Sequence, residues 1–235
     1  MPERNGHIMA GYIALGVVLA VLIALFSRFR PAATQMILSN LYAIRCIFVN
    51  FYALRTNSGV VLFDTGMNPA AAVRGLKKVG IEPDDVTHVF LTHTDYDHAG
   101  GISAFKKAEW FISSEEEQMI NGTTARRGFI RNRHFSPYSK INDGETVVVD
   151  GINIKAHITP GHTPGSTVYC IDNRLCMCGD LLRISRKGDF LPFLWLMNMN
   201  HHQDKESLVA MQPIIKGYEY VLSGHTGVYR NHHGV

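Results

Sequence analysis

Cysteine is scarce in this 235-residue chain: Cys46, Cys170, Cys176 and Cys178 are all there is. So few thiols exclude a disulfide-dense secreted scaffold. Charge is thin as well, at 18% of residues with a formal net charge of +3. No strong field of one sign surrounds such a chain, and no nucleic-acid partner is expected. Internal repeats and low-complexity tracts are lacking. Hydrophobic residues at 46% exclude a disordered chain or a fibre. Long apolar runs are almost absent too, which excludes a multi-spanning transporter.

The one exception covers residues 8–26, uncharged and closed by Ser27-Arg28-Phe29-Arg30. A helix of that length spans ~28 Å, close to the ~30 Å of a bilayer's hydrocarbon core. A cleaved signal would carry a shorter apolar core followed by small residues, whereas arginines follow here. The expectation is therefore a single-pass transmembrane helix, with residues 1–30 as tail and anchor and residues 31–235 as the folded domain. A cleaved signal and a buried core helix are the alternatives. Arg28, Arg30 and Arg45 after the run, against Arg4 and Glu3 before it, favour a cytoplasmic domain by the positive-inside bias.

Beyond Pro31 the patterning alternates between strands and helices. Residues 44–56 and 59–64 are rich in β-branched and aromatic side chains and read as a hairpin. Asn68-Pro69 opens a helix over 70–79. Residues 87–91 and 110–113 read as strands, and 114–120 as a helix capped by Ser114 with Glu117 three residues on. A second hairpin, 146–150 with 152–158, turns at Asp150-Gly151. Residues 168–171 and 174–178 form a third pair, in which Cys176 and Cys178 read as two buried or alternating thiols. A helix over 205–216 and a strand over 219–222 follow, while 121–137 reads as a loop. The pattern implies two stacked sheets with helices outside.

Chemistry gathers at strand ends. His93-Thr94-Asp95-Tyr96-Asp97-His98 follows an apolar strand directly, and four metal-competent side chains in six residues cannot be buried cheaply without a cation. Thr159-Pro160-Gly161-His162-Thr163-Pro164-Gly165, Cys178-Gly179-Asp180 and Ser223-Gly224-His225 repeat the theme. Donors on loops at the ends of rigid strands are a usual way to hold a reactive site.

These motifs, with Phe63-Asp64-Thr65-Gly66, occur in the order that makes the chain resemble the metallo-β-lactamase fold superfamily from about residue 44 to 225. The resemblance implies an αββα four-layer sandwich with a dinuclear site at one edge. It implies that His93, Asp95 and His162 hold one metal, that Asp97, His98 and His225 hold the other, and that Asp180 bridges both. Asp64 would orient ligands from behind. Zinc is the leading metal, with iron or manganese as alternatives. The implied activity is hydrolysis of an ester, lactone, thioester or phosphodiester by a metal-bridging hydroxide, with Asp97 shuttling a proton. An iron-dependent redox protein and a non-catalytic metal-binding module are the rival readings.

One position departs from the family pattern H-x-H-x-D-H: the second histidine is Asp95. A carboxylate can still bind zinc, but it makes the first site harder and lowers the Lewis acidity of its metal. Two further segments bear on the substrate, which is expected to be a small molecule. Residues 125–133 carry Arg126, Arg127, Arg131 and Arg133, either a solvated loop or an anion clamp. Residues 190–197, Phe-Leu-Pro-Phe-Leu-Trp-Leu-Met, are too short to span a membrane and read as a lid, a substrate wall or an interfacial patch. Together with the anchor, that run makes an amphiphilic or acyl substrate the expectation. His88, His134 and His157 have no motif context, and His201-His202 is expected in a loop.

Overall fold

The structure is a computed structural model; it describes residues 26–231 and, before them, residues 12, 15–17, 19–20 and 23–24. The chain divides into two compact units, Met1–Arg30 and Pro31–Val235. In the first, the described residues before Ser27 are helical, and the Phe26 and Phe29 rings meet edge to face at 5.7 Å. The transmembrane anchor expected over residues 8–26 is not borne out. Most of that stretch lies outside the described residues, and no helix among the described ones is long and apolar enough to cross a membrane. A span needs ~20 consecutive apolar residues in one helix. The expectation of a single-pass membrane protein with a tethered cytoplasmic domain falls with it.

The second unit is built on two sheets. β1 (Gln35–Leu38), β2 (Leu41–Cys46), β3 (Val49–Arg55), β4 (Val60–Phe63), β5 (Val86–Phe90), β6 (Glu109–Ser113) and β7 (Ser139–Ile141) lie in sequential order in the first. It is antiparallel as far as β4 and parallel beyond. β8 (Thr146–Val149), β9 (Ile152–Ile158), β10 (Thr167–Ile171) and β11 (Leu175–Gly179) meander through the second. β12 (Leu182–Ile184) and β13 (Phe190–Pro192) form a separate ribbon. β14 (Tyr220–Ser223) then returns parallel to β11, and β15 (Gly227–Arg230) pairs antiparallel at the edge.

Strand periodicity sorts the side chains into three apolar layers. On β3, β4, β10 and β11, Tyr52, Leu54, Val61, Phe63, Tyr169, Ile171, Leu175 and Met177 enter the core between the sheets. Their neighbours Phe51, Ala53, Val60 and Leu62 face α1 (Pro69–Lys77) on one outer side. Val168, Cys170, Cys176 and Cys178 face α4 (His201–Lys216) on the other, against Leu208, Met211 and Ile215. The result is the αββα sandwich. Phe63, Phe90 and Tyr169 pack at 5.4–5.9 Å between ring centroids at its centre, each burial contributing about 1.5–3 kcal/mol.

Local chemistry explains most boundaries. Asn68 caps α1 by accepting from Ala71 N at 2.8 Å, with Pro69 at the first helical position. The expected strand 44–56 is two strands, β2 and β3, folded back at Ile47 and Phe48, with Ile47 at φ 61°. The expected helix at 114–120 shrinks to α3 (Glu117–Ile120): Ser114 Oγ is turned to donate to Asn142 Oδ1, and Ser113 Oγ accepts from Glu116 N instead. His201 and His202 open α4, which starts after the cap Asn200, and do not lie in a loop. The hairpin at Asp150-Gly151 forms with both turn residues at positive φ.

One edge of the sandwich is pinned across the layers. Tyr52 Oη donates to Ser223 O at 2.8 Å, Asn50 N to Gly224 O at 2.7 Å, and Tyr169 Oη to Leu91 O at 3.0 Å. At that edge β4, β5, β11 and β14 all end.

Candidate metal centre

Asp64 follows β4, Asp180 follows β11 and His225 follows β14. Asp97 and His98 lie in the short helix α2 (Tyr96–Ala99), with Asp95 at its N-cap position, just past His93 and β5. His162 comes from the Pro/Gly loop between β9 and β10. The seven candidate donors therefore reach one place from both sheets. His93, Asp95 and His162 form one triad and Asp97, His98 and His225 another, and His93, His98 and Asp180 group between them.

Every histidine is held by its Nδ1, so that its Nε2 points inward. His98 Nδ1–H donates to Asp64 Oδ2 at 2.8 Å, and His225 Nδ1–H to Phe48 O at 2.8 Å. Thr92 Oγ1–H gives its proton to Asp64 at 2.9 Å, leaving its lone pair to accept from His93 Nδ1–H at 3.0 Å. Asn198 Nδ2 donates to His201 Nδ1, so its oxygen faces His162 and accepts from Nδ1–H at 3.0 Å. Fixing the tautomer in this way leaves four Nε2 lone pairs converging.

The spacing of the inward atoms is that of a coordination shell. Two donors at ~2.0–2.1 Å from a tetrahedral ion stand ~3.3 Å apart. His162 Nε2 lies 3.3 Å from Asp95 Oδ2 and 3.5 Å from Asp180 Oδ2. His225 Nε2 lies 3.3 Å from Asp97 Oδ2 and 3.2 Å from Asp180 Oδ2. His98 Nε2 lies 3.4 Å from Asp180 Oδ1. His93 Nε2 and Asp180 Oδ1 are buried with no hydrogen-bond partner, a costly state that a cation would relieve. The donor set fits two divalent ions sharing Asp180.

Electrostatics agree. Burial pushes the His98 and His225 imidazoles down, but Asp180 with Asp64 and Asp97 outweighs it for His98, raising it well above its ordinary value. Asp180 and Asp97 carry His225 up to about 9. Positive charge is demanded at their Nε2 atoms, which stand 3.5 Å apart. Burial and the neighbouring His98 lower His93. Burial raises Asp97 and Asp180, yet the adjacent histidines hold both below the ordinary carboxylate range.

Three contributors have no motif to announce them. Glu116, fully buried, accepts from Thr94 N and Oγ1 at 2.8 Å each, from Thr163 Oγ1 at 2.7 Å and from Gly165 N at 3.1 Å. It bridges the loops of the two histidine motifs. Phe193, from the apolar run, lies between the His162 and His225 rings at 5.0 and 5.4 Å, so that run supplies a wall of the site. Arg126, from the basic loop, forks onto Asp95 and reaches His162 Nε2 at 2.8 Å. Beside Asp95 and Asp97 opens a cavity of about 590 Å³, with Ile102, Trp110, Ile130 and Phe135 among its lining residues.

His88, His134 and His157 are in none of the candidate metal groups. Cys170, Cys176 and Cys178 are free, buried and in sulfur contact at 3.6 Å.

A fold of two helix-flanked sheets with a histidine- and aspartate-lined centre at one edge defines a class of proteins. The Metallo-beta-lactamase superfamily pattern matches residues 44–225, and the chain belongs to that superfamily. An N-acyl homoserine lactonase of Bacillus sp. is 31% identical over 154 residues, 52% of this chain and 57% of that protein. A probable metallo-hydrolase of Methanocaldococcus jannaschii is 27% identical over 157 residues, 66% of this chain and 64% of that one. The chain thus spans little more than half the length of the lactonases it matches. Among solved structures, a metallo-beta-lactamase family protein of Thermus thermophilus superposes with a TM-score of 0.66 at 22% identity, covering 83% of this chain and 76% of that one. A metallo-beta-lactamase of Cronobacter sakazakii with a HARLDQ motif gives 0.65 at 21%, covering 86% and 81%. At such identities these two likenesses speak for the fold alone.

Proposed function

We propose that this chain is a metal-dependent hydrolase of a small ester or lactone bearing an apolar acyl group. The observation that carries the proposal is the pair of donor triads joined through Asp180, with two buried donor atoms that have no hydrogen-bond partner. His93, Asp95 and His162 would hold one divalent ion, Asp97, His98 and His225 the other, and Asp180 both; zinc suits this mixed nitrogen and oxygen set. Such ions supply Lewis-acid polarisation and water activation near neutral pH.

The remaining roles belong to the protein. Asp97 lines the cavity, and its side chain is more open than those of Asp64, Asp95 and Asp180. In this reading Asp97 takes a proton from the attacking side and returns it to the leaving oxygen. Ile102, Trp110 and Phe135 offer the acyl group an apolar wall, and Phe193 keeps water from the histidine rings. The names of the lactonase relatives support the same substrate class.

Zinc-loaded protein should open N-acyl homoserine lactones, with kcat/KM rising from a short to a long acyl chain. Asp97→Asn should lose about 100-fold or more in kcat even at saturating zinc, with a weaker zinc affinity because the same carboxylate is a ligand of the second ion. A metal-loaded, folded protein inert toward lactones and esters alike would refute the proposal.

A further inference from the structure

We propose that Arg126 is the resident cation of the first donor triad, so that a metal ion enters there only by displacing the guanidinium. The second triad then loads first and the first triad last. The proposal rests on the metal-centre reading above and concerns how the two positions differ.

The geometry is competitive. Arg126 Nε donates to Asp95 Oδ1 at 2.8 Å, its Nη2 reaches Asp95 Oδ2, and its Nη1 donates to Met197 O. Asn132 Nδ2 adds a bond to Asp95 Oδ1 at 3.2 Å. Nη2 also donates to His162 Nε2 at 2.8 Å. That nitrogen has one lone pair, because Nδ1 carries the proton given to Asn198. A metal held by His162 needs the same lone pair, so the ion and the guanidinium exclude each other at this atom. Of the three donors, only His93 Nε2 is left without a hydrogen-bond partner. The second triad is built differently: Asp97, His98 and His225 meet one another, Asp180, Asp64 and Phe48 O.

Asp95 acquires a reason in this arrangement. A carboxylate accepts the planar two-pronged fork of an arginine, whereas a histidine, with a single acceptor, cannot. The replacement of the family histidine by Asp95 and the presence of Arg126 are thus two halves of one device. Release is local. Arg126 and Ile130 exchange backbone bonds of 2.8 Å that close a small loop around Arg127 and Gly128, both at positive φ. The long side chain can therefore swing into the adjoining cavity, which Arg126 itself lines, without unfolding an element.

The test is zinc titration of the metal-free full chain against a chromophoric chelator, with elemental analysis after desalting. Wild type should bind its first zinc about tenfold or more tighter than its second, a spread typical of altered ligand surroundings. Arg126→Gln should tighten the second step towards the first, and Arg126→Lys, which keeps charge but loses the fork, should fall between. His225→Ala should abolish the tight step, whereas His93→Ala should abolish the weak one. Two equal steps in wild type, or a second step unchanged in both Arg126 variants, would overturn the proposal while leaving a dinuclear centre intact. Failure of wild type to bind any zinc would instead remove the metal centre itself.

Discussion

Glu116 illustrates how a single side chain can govern a site it never enters. Its carboxylate is the shared acceptor for the backbone or hydroxyl donors of Thr94, Thr163 and Gly165, so it sets the distance between the His93 and His162 loops. Burial pushes its pKa up, and the Thr163 and Thr94 bonds pull it back only in part. Glu116→Ala would strand Thr94 N and Gly165 N in the interior, at about 3 kcal/mol or more. Urea denaturation should show that loss, and zinc affinity at the first position should fall with it. Asp64→Asn is a contrasting case: Thr92 N keeps an acceptor, but the His98 imidazole loses its anionic partner. Zinc affinity should drop about 10–100-fold with little change in the urea midpoint; an unchanged affinity would show that Asp64 only builds the turn. Motifs revealed the seven candidate donors because each stands beside a strand-end glycine or in the dense cluster after β5. Glu116 was illegible because it sits in Glu115-Glu116-Glu117, a run whose composition reads as solvated surface, and Arg126 because four arginines in a loop give no sign of which one turns inward.

At the scale of elements, turns decided which boundaries could be read. Asp150-Gly151 announces its hairpin chemically, since both residues tolerate the left-handed region. The β2–β3 turn announces nothing: Ile47 adopts φ 61° and leaves its side chain in solvent. A β-branched residue pays about 1–2 kcal/mol for that conformation, and strand pairing along β2 and β3 offsets it. Ile47→Gly removes the steric cost but adds about 0.5–1 kcal/mol of chain entropy to the unfolded state. The variant should gain up to about 1.5 kcal/mol, read as a higher urea midpoint at constant slope. A loss would mean that the Ile47 side chain contributes packing not evident from its exposure. The helix expected from Ser114 starts late for a local reason: Glu116 N donates to Ser113 Oγ at 3.1 Å, and Ser114 Oγ is turned toward Asn142 Oδ1.

Across the whole molecule, the centre joins the two sheets: Asp64, His93, Asp95, Asp97 and His98 belong to the first, and His162, Asp180 and His225 to the second. A ligand bound only by the folded chain stabilises it, so a chelator should lower the melting temperature. The pH dependence of that effect separates this centre from an ordinary cluster of charges. Without metal, His225 is raised from 6.5 to about 9 by Asp180 and Asp97 against the opposing effect of burial, and His98 shifts the same way. A histidine whose folded pKa is raised contributes stability that is complete below its unfolded pKa and is lost as pH climbs through the folded one. Chelated protein should therefore become less stable between about pH 6.5 and 9, His225 alone accounting for up to about 3 kcal/mol. Zinc held there would take the Nε2 lone pairs and displace those protons, so the loaded protein should keep its stability through the same window. The gap between the two melting curves should widen with rising pH. If the curves instead run parallel from about pH 6.5 to 9, protons and metal are not competing for His98 and His225, and the second triad is not where the ion binds.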